Sequence, residues 1–421
     1  MTPYVDFSYF LFLLYPLVAL ALLGGFGLLR RPVVLVVSVA IVLFQYANPL
    51  GVDAPAGAGL AQLAFLVVYA AASTGVVLTY ARIRQRHPSQ GIFYGSIALV
   101  LAPLVAVKLA PLAHGVFRSS PVGGAHPLAA VPSVVSPTAT GFLDTFGFLG
   151  ISYMTLRVID AIIVLHDGLV GTPRAADVAS YLLFAPTISA GPIDRFHHFT
   201  TALDGLPRQR RDYLRDVEAG INRIAQGFLY KFILAYLIYQ RALAPMAGRS
   251  GFRAGLAYMY AFSLYLFFDF AGYSAFAIGV GRFFGIQVPE NFNAPFVSRS
   301  FREIWDRWHI SLSWWLRDHV YMRFMLNAAR RRWFGGNRQR AHHVGLLLTM
   351  SLMGCWHGLQ PQYLIYGLYQ GVMLVAYDVF ERWSGRRRLA TGGRFGDAIR
   401  ILVTVHLFCF GLLIFSGWLF A

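Results

Sequence analysis

Long apolar runs recur along the sequence and constrain its fold more than any other feature. About 20 predominantly apolar residues are enough for a helix to cross a hydrocarbon core of roughly 30 Å. Only 13% of the 421 residues are charged, against about 25% in soluble domains. The sequence therefore predicts an all-α polytopic membrane protein. We place ten spanning helices, over residues 7–29, 32–50, 58–80, 91–113, 141–165, 226–245, 255–282, 343–357, 361–381 and 399–420.

Basic residues between the apolar runs predict the orientation of the chain. The positive-inside rule places such loops in the cytoplasm. The apolar segment 178–195 is interrupted by Pro186, Gly191 and Pro192. If this segment is re-entrant rather than a full crossing, the arginine-rich stretches fall on one face and both termini lie outside. These stretches are Arg30/Arg31, 82–86, 195–223, 299–340 and 382–400.

The net charge of +17 is explained by this orientation signal rather than by nucleic-acid binding. We expect the first apolar run to be a retained helix, because no basic region precedes it and no cleavage site with small residues follows. The segment 114–140 is rich in Pro, Ser and Ala and is predicted to be an irregular outside loop. Lysine occurs only at Lys108 and Lys231, to which we assign little functional weight.

Metal and nucleotide signatures are weak or missing. Cys355 and Cys409 lie in apolar runs without metal-ligand spacing. His197 and His198 follow "GPIDRF" and are predicted to lie on a solvated cytoplasmic loop, with no further ligands nearby. The sequence contains no Walker A motif, H-E-x-x-H motif or G-x-S-x-G elbow. We therefore assign no metal.

The stretch "IWDRWHISLSWWLRDHVYMRF" (304–324) combines four tryptophans and two histidines with several charges. Trp305, Trp308, Leu312 and Trp315 recur at spacings of three and four residues, which is typical of one face of a helix. The stretch is too charged to span a membrane. It favours an amphipathic helix in the interface with tryptophans at the headgroup level, although such a helix can also form the wall of a buried site.

Two histidines are candidates for chemistry. His309 lies in the middle of that stretch, and His357 ends an apolar run in "SLMGCWHGLQ" (351–360), between Trp356 and Gly358. Ionisable groups at such positions are costly and favour a functional hypothesis. A histidine with a pKa near 6.5 can take a proton from a hydroxyl nucleophile and return it to a leaving group. The alternative is a neutral imidazole bonded to a backbone carbonyl where a helix ends.

The segment "LYLFFDFAGYSAFAIGVG" (264–281) places Asp269 inside a predicted span. One interpretation is close helix packing through the small residues that follow, with Asp269 as a cap at a broken helix. The other is a polar wall of a site. Downstream, "PENFNAPF" (289–296) contains two prolines and two asparagines and predicts an irregular link. In a membrane protein such a backbone must line a cavity or be buried in protein.

Three segments together carry a family resemblance. They are "FFDFAGYSAFAIGVGRFFGIQVPENFNAPFVSRSFREIWDRWHISLSWWLRDHVYMRF", "LMGCWHGLQPQYLIYGLYQG" and "SAGPIDRF" (189–196). The region 145–380 resembles the membrane-bound O-acyltransferase superfamily, in particular its D-alanyl transferase branch. The resemblance implies a ring of about ten transmembrane helices, with re-entrant and interfacial helices, around a central funnel. It also implies a catalytic histidine at the Trp-His-Gly position, His357, and a second histidine at His309.

On this basis we expect one domain over residues 1–421. It would comprise peripheral N-terminal helices (1–140), a catalytic core (141–381) and a C-terminal helix (382–421). The resemblance implies a substrate path bordered by Trp356, Asp269, Trp305, Trp308, Ser311, Asn291 and Asn293. Arginines of the cytoplasmic face are expected to meet a carrier protein, namely Arg302, Arg307, Arg317 and Arg323.

The implied reaction moves a D-alanyl group toward a hydroxyl of a cell-envelope acceptor such as teichoic acid. The donor would be a thioester on the phosphopantetheine arm of a small acidic carrier protein of the DltC type, with no permanently bound cofactor. A membrane protein of the DltD type is the other expected partner, besides lipid of the bacterial cytoplasmic membrane. Complementary charge would speed the encounter of an acidic carrier with the basic face.

Two alternatives remain open at this point. "FGGNRQR" (334–340) is similar to a Gly-Gly-Asn-Arg motif of the alginate O-acetyltransferase branch, so the transferred group can be acetyl and the acceptor an exported polysaccharide. A polytopic transporter could use the same intramembrane polar residues to pass a solute. The transporter predicts flux of substrate without a covalent product, whereas either enzyme predicts an acylated acceptor.

Overall fold

The computed structural model describes residues 3–5, 7–24, 30–47, 58–113, 150–205, 209–386 and 393–420. Within these ranges the chain is predominantly helical and has no β-strand beyond an isolated bridge between Phe292 and Trp308. The helices are α1 (Phe7–Leu23), α2 (Arg30–Ala47), α3 (Ala58–Arg86), α4 (Gln90–Ala113), α5 (Ile151–His166), α6 (Ala175–Leu182), α7 (Phe196–Asp204), α8 (Arg210–Phe228), α9 (Tyr236–Ile238), α10 (Phe252–Phe283), α11 (Phe301–Arg307), α12 (Ile310–Leu316), α13 (Met322–Arg330), α14 (Arg338–His357), α15 (Pro361–Arg386) and α16 (Arg394–Phe415).

The described chain divides into two compact units. The first contains α1 to α8 and residues Gly272–Pro289, and the second contains residues Tyr230–Ala271 and the chain from Glu290 onward. Turns of π-helix flank the short α9, at Leu229–Ala235 and Tyr239–Leu243. Every residue predicted to serve the active site belongs to the second unit.

Five of the described helices are long and apolar enough to cross a membrane, and α1 is a shorter apolar helix. The all-α polytopic class is thereby confirmed, whereas the total of ten spans and their orientation stay predictions. The predicted outside loop 114–140 and the first residues of the predicted span 141–165 lie outside the described residues. The five helical segments that are long and apolar enough to cross a membrane are Leu60–Arg86, Gln90–Leu109, Phe252–Phe283, Pro361–Gly385 and Arg394–Phe415.

Glycines let α14 and α15 pack backbone to backbone. A Cβ atom at Gly367 would lie 2.6 Å from the carbonyl oxygen of Met350, and one at Gly354 would lie 2.4 Å from that of Tyr363. Small residues permit such close approach where lipid supplies no hydrophobic drive for association. The contact brings the C-terminal end of α14, with His357, against the first turns of α15.

The interrupted segment 178–195 is non-helical where its prolines predict. After α6 it forms a short 3₁₀ turn at Ala185–Thr187, a further turn at 188–190 and then irregular backbone up to α7. The buried Arg157 donates to the carbonyl oxygens of Tyr181 (3.0 Å), Leu182 (3.3 Å) and Thr187 (2.6 Å). Its guanidinium therefore satisfies backbone groups that no helix satisfies, as irregular backbone buried in a membrane protein requires.

The histidines after "GPIDRF" were predicted on a loop, and this prediction is wrong. His197 and His198 are exposed residues of the first turn of α7. Asp160 accepts a hydrogen bond from the backbone N–H of Phe196 (2.7 Å) and so supports the start of the helix. His198 Nδ1 lies 2.7 Å from Asp194 Oδ1, and this hydrogen bond raises the pKa of His198.

The tryptophan-rich stretch 304–324 differs from the single amphipathic helix that its periodicity predicts. Helix α11 ends at Arg307, and α12 begins only at Ile310, because His309 adopts a left-handed backbone conformation. Trp305, Trp308 and Trp315 are buried inside the protein rather than exposed on an interfacial face. The irregular link 289–296, which the sequence predicts correctly, causes this break, because its backbone pairs with the residues around His309.

Candidate active site

His309 occupies a strained turn fixed by the backbone of the preceding link. Its φ and ψ angles are 46° and 49°, a conformation that is uncommon for residues other than glycine. On one side the N–H of Ile310 donates to the carbonyl of Asn291 (3.0 Å), and on the other the N–H of Asn293 donates to the carbonyl of Arg307 (2.9 Å). These two bonds hold the turn, and strain of this kind persists only where the surroundings enforce it.

The side chain of Asn291 reinforces the same turn. Asn291 is fully buried, and its Oδ1 atom accepts hydrogen bonds from Ser311 Oγ (2.6 Å) and from the Ser311 N–H (3.4 Å). By contrast, Asn293 is exposed, and Arg307 donates to its carbonyl oxygen (3.2 Å). Of the two asparagines predicted beside the substrate path, only Asn291 therefore lies in the interior next to His309.

The imidazole of His309 is enclosed. The residue is 4% exposed, and the ring of Phe270 packs edge-on against it with centroids 4.8 Å apart. Within the described residues, Nε2 of His309 is buried and has no hydrogen-bond partner. Burial first, and then the proximity of His357, lower the pKa of His309 well below its usual value. The ring is therefore neutral at pH 7.

The surroundings of His357 differ from those of His309. His357 is the last residue of α14 and is partly exposed. Gly358 continues in extended backbone, and a Cβ atom there would lie 2.3 Å from the ring of Tyr363. This close approach explains why glycine follows the histidine. Aromatic rings from α14, α15 and α16 surround the imidazole, with centroid distances of 4.8 Å to Trp356, 6.4 Å to Tyr363, 6.2 Å to Tyr366 and 5.1 Å to Phe415.

Trp356 links the two histidines. Its ring centroid lies 4.8 Å from that of His357 and 6.3 Å from that of His309. Further along the same wall, Trp308 and Trp305 both pack edge-on against Phe408 of α16, with centroid distances of 5.2 Å and 6.2 Å. The ring of Phe292 connects the two groups, because its centroid lies 5.1 Å from that of Trp308 and 5.1 Å from that of Phe270, which packs on His309.

Asp269 lies in the middle of the continuous helix α10, not at a broken end, so its interpretation as a helix cap is wrong. Its carboxylate forms a buried ion pair with Lys231, which lies in a π-helical turn. The next residue, Phe270, is the one that packs on His309. Sequence analysis gave Lys231 little weight, although a lone lysine inside a predicted span already indicated a buried partner.

Gln370 of α15 is a second residue that the sequence analysis missed. It is completely buried, and neither amide atom has a hydrogen-bond partner in the described part of the chain. A Cβ atom at Gly411 would lie 2.5 Å from its Nε2 atom. Gln370 lies one helical turn from Tyr366, which contacts His357. Gln370 lies within the segment "LMGCWHGLQPQYLIYGLYQG", but nothing in that pattern distinguishes it from its neighbours, because its significance depends on burial.

The arginines predicted to face a carrier protein already make contacts within the chain. Arg302 pairs with Glu381 (3.3 Å) and Asp378 (3.6 Å), Arg307 with Glu303 (2.8 Å), and Arg317 with Asp318 (2.8 Å). Arg323 is partly buried. Asp378 is also 2.8 Å from His343 and 2.8 Å from Arg382. These ion pairs reduce the positive charge that this surface presents.

Across the described ranges, no cluster of three or more His, Cys, Asp or Glu residues has an arrangement that could hold a metal ion. Both histidines are instead bordered by aromatic rings. The arrangement can bind an acyl chain or thioester against apolar walls and accept a proton at an imidazole.

An aromatic site with one buried and one partly exposed histidine, in a chain with several helices long and apolar enough to cross a membrane, fits acyl transfer. The chain is an acyltransferase of the membrane: the model of MBOAT, the membrane-bound O-acyltransferase family, matches residues 153–419, which include both histidines and the rings around His357. The chain belongs to this family. Membership favours an acyltransferase over the transporter interpretation.

Named relatives extend the resemblance beyond the region 145–380 that the motifs indicate. A teichoic acid D-alanyltransferase of Bacillus subtilis (strain 168) is 36% identical over 420 residues, which cover 99% of this chain and 98% of the relative. A second, from Streptococcus thermophilus, is 34% identical and covers 86% of this chain and 84% of the relative. A probable alginate O-acetylase of Azotobacter vinelandii is 35% identical but covers 54% of this chain and 43% of the relative.

Proposed function

We propose that this protein transfers a D-alanyl group from a carrier-protein thioester to a hydroxyl of a cell-envelope polymer of the teichoic acid type, with His357 as general base. The observation that carries the proposal is the partly exposed imidazole of His357 among aromatic rings, beside a buried second histidine. The relatives named as D-alanyltransferases, which match nearly the whole chain, support the D-alanyl group.

In the proposed reaction, the acceptor hydroxyl gives its proton to the His357 imidazole while its oxygen attacks the thioester carbonyl. The new ester C–O bond forms and the C–S bond breaks, and the departing thiolate takes the proton back. A positioned base of this kind contributes roughly 10²–10⁴-fold to a rate. The neutral ring of His309 would polarise the acyl group from the buried side of Trp356, without placing a second positive charge beside the His357 imidazolium.

One buried face of α15 leads from the arginine-rich surface toward His357, and we infer that the donor passes along it. Asp378, Leu374, Gln370 and Tyr366 recur every four residues, and all four are buried. From Asp378, beside the arginines, to Tyr366, beside His357, this face extends about 18 Å at 1.5 Å per residue. A phosphopantetheine arm carries amide groups along its length. The unsatisfied amide of Gln370 would pair with one of them and recover the cost of its burial.

The proposed donor is a small acidic carrier of the DltC type, which would approach the arginine-rich cytoplasmic face of the bacterial cytoplasmic membrane. Because Arg302, Arg307 and Arg317 already pair with acidic side chains, the carrier would have to exchange these ion pairs for its own. Complementary charge of this kind mainly affects the rate of encounter. A membrane protein of the DltD type is the proposed second partner.

The second candidate function is O-acetylation of an exported polysaccharide. It is favoured by the alginate O-acetylase relatives and disfavoured by their shorter coverage of the chain. Cells that express the protein are fed labelled D-alanine or labelled acetate, and alkali-labile esters of the envelope polymers are counted. D-alanine label that disappears in His357→Gln, at equal protein level, supports the proposal. Acetate label supports the second candidate, and absence of both labels contradicts the two proposals together.

A further inference from the structure

A cavity of about 180 Å³ lies in the first unit, where three helices end, far along the chain from the histidines. Its walls come from the last turns of α3, the connection to α4 and the C-terminal residue of α5. The polar groups at its walls include Tyr80, Arg84, His87, Ser89 and His166. His87 and Ser89 are exposed, so the cavity is open at the surface.

The walls of this cavity are held in place by hydrogen bonds. Tyr80 Oη lies 2.8 Å from His166 Nδ1, and Gln85 Nε2 donates to Thr172 Oγ1 (2.7 Å). One terminal nitrogen of Arg84 donates to the carbonyl of Val170 (3.1 Å). The Nε atom of Arg84 is buried and has no hydrogen-bond partner within the described ranges. Arg84, which lines the cavity, is therefore held in place through one terminal nitrogen of its guanidinium.

The charges of the residues that line the cavity favour an anion as its ligand. Among the described residues that line it, none is acidic, and Arg84 is positively charged at all physiological pH values. The backbone N–H groups at the start of α4 adjoin the same turn, and the positive end of that helix dipole adds to the field. An arginine fork matches the oxygens of a phosphate group.

The apolar surroundings indicate that the anion belongs to a lipid. The candidate spans Leu60–Arg86 and Gln90–Leu109 meet at this turn, which places it at the end of two membrane helices. Tyr94 and Leu99 of α4 are exposed by 57% and 62%, and Leu169 beyond α5 is exposed by 62%. Basic pockets between transmembrane helices at a membrane surface are typical sites for anionic headgroups.

We propose that this cavity binds the phosphate of an anionic glycerophospholipid, with Arg84 as the principal contact and the acyl chains along the exposed face of α4. The site does not depend on the proposed reaction, because none of its residues belongs to the unit that contains the histidines. The test uses purified full-length protein in neutral detergent. Phosphatidylglycerol, phosphatidylcholine or inorganic phosphate is titrated, and bound ligand is counted by native mass spectrometry beside the thermal midpoint.

We expect phosphatidylglycerol to bind more tightly than phosphatidylcholine and to raise the thermal midpoint. Arg84→Gln weakens binding by about ten- to a hundredfold, the value of a hydrogen bond to a charged group. Its matched control is Arg82→Gln, an exposed residue of the same helix that does not line the cavity, which binds as the original protein does. His87→Ala, at an exposed position, provides a second variant that weakens binding without affecting folding.

Three results would overturn the proposal. The first is equal binding of the two lipids. The second is an Arg84→Gln variant that binds phosphatidylglycerol as tightly as the Arg82→Gln control. The third is a thermal shift with inorganic phosphate but none with phosphatidylglycerol, which would make the cavity a site for free phosphate.

Discussion

The surroundings of His309 and of His357 differ although one tryptophan contacts both rings. His309 is buried, sits in a strained turn and is held by hydrogen bonds from the link 289–296. His357 ends a helix, is partly exposed and is surrounded by aromatic rings without a strained backbone. The position of His309 is thus fixed and its ring is neutral, whereas the ring of His357 is partly accessible.

This difference indicates that the two histidines have different roles in one site. A base must be reached by its substrate, whereas a group that polarises the substrate gains from exclusion of water and from a fixed position. The neutral His309 also avoids repulsion of the positive charge that His357 acquires when it takes a proton. Each of the following predictions tests one side of this comparison.

The largest expected effect is the loss of the accessible histidine. His357→Gln lowers acyl transfer by roughly 10²–10⁴-fold, because it removes the base and retains the size and polarity of the side chain. The measurement is transfer of label from a D-alanyl thioester by the reconstituted protein. His197→Gln, an exposed position on α7, is the matched control and keeps full activity. Equal rates for these two variants would remove His357 from the chemistry.

The next effect concerns the buried ion pair between Lys231 and Asp269, which is next in the chain to the ring that packs on His309. Lys231→Met leaves Asp269 buried without its partner and costs about 3–5 kcal/mol of stability. The double variant Lys231→Met/Asp269→Leu removes both charges and recovers most of this loss. Thermal unfolding in detergent measures both. A double variant that is less stable than Lys231→Met would show that the pair itself stabilises the helices.

A smaller effect separates the two asparagines of the link. Asn291→Ala removes the oxygen that accepts hydrogen bonds from Ser311 Oγ and N–H and loosens the turn at His309, at a cost of about 1–3 kcal/mol. Transfer activity falls with it, because a displaced catalytic neighbour is costly. Asn293→Ala, at an exposed position of the same link, changes stability and activity little. Similar losses in the two variants would contradict the role assigned to Asn291.

Substitution of Gln370 tests the proposed route toward His357. We expect it to raise stability and to weaken the use of the pantetheine thioester. Gln370→Leu raises the thermal midpoint, because an apolar side chain replaces an unsatisfied buried amide. It also raises the KM for a thioester on the phosphopantetheine arm by about three- to tenfold. A short thioester without pantetheine amides reacts equally with both proteins. A lower thermal midpoint in Gln370→Leu would mean that the amide has a structural role instead.

The smallest effect is the part of the pH dependence of stability that His309 contributes. Its pKa in the folded protein is below the unfolded value of about 6.5. Stability from the neutral ring is therefore fully present above that unfolded value and is lost as the pH falls below it, because the unfolded chain binds the proton first. His309→Asn, which tolerates the left-handed turn, reduces this loss. Thermal midpoints between pH 5 and pH 8 measure it, and identical slopes would contradict the burial of a neutral ring.

The sequence predicts the membrane class correctly, because apolar runs are a local signal. It also identifies His309 and His357 as candidates beside tryptophans, and their catalytic roles stay predictions. It does not predict the break at His309, because helical periodicity continues through 304–324 while hydrogen bonds from the distant link 289–296 enforce the turn. Nor does it pair Lys231 with Asp269, since 38 residues separate them. Gln370 lies inside the segment that contains the Trp-His-Gly motif, but the pattern does not distinguish it from its neighbours, and its importance follows only from tertiary burial.

The most direct test of these different roles is whether added imidazole restores activity to variants that lack one of the two histidines. In His357→Ala the missing ring leaves a space beside a partly exposed position, so neutral imidazole restores part of the acyl transfer, increasingly as the pH rises through the pKa of imidazole. In His309→Gly, where glycine fits the left-handed turn, the enclosed position excludes imidazole and no activity returns. Rescue of His309→Gly but not of His357→Ala would contradict the account.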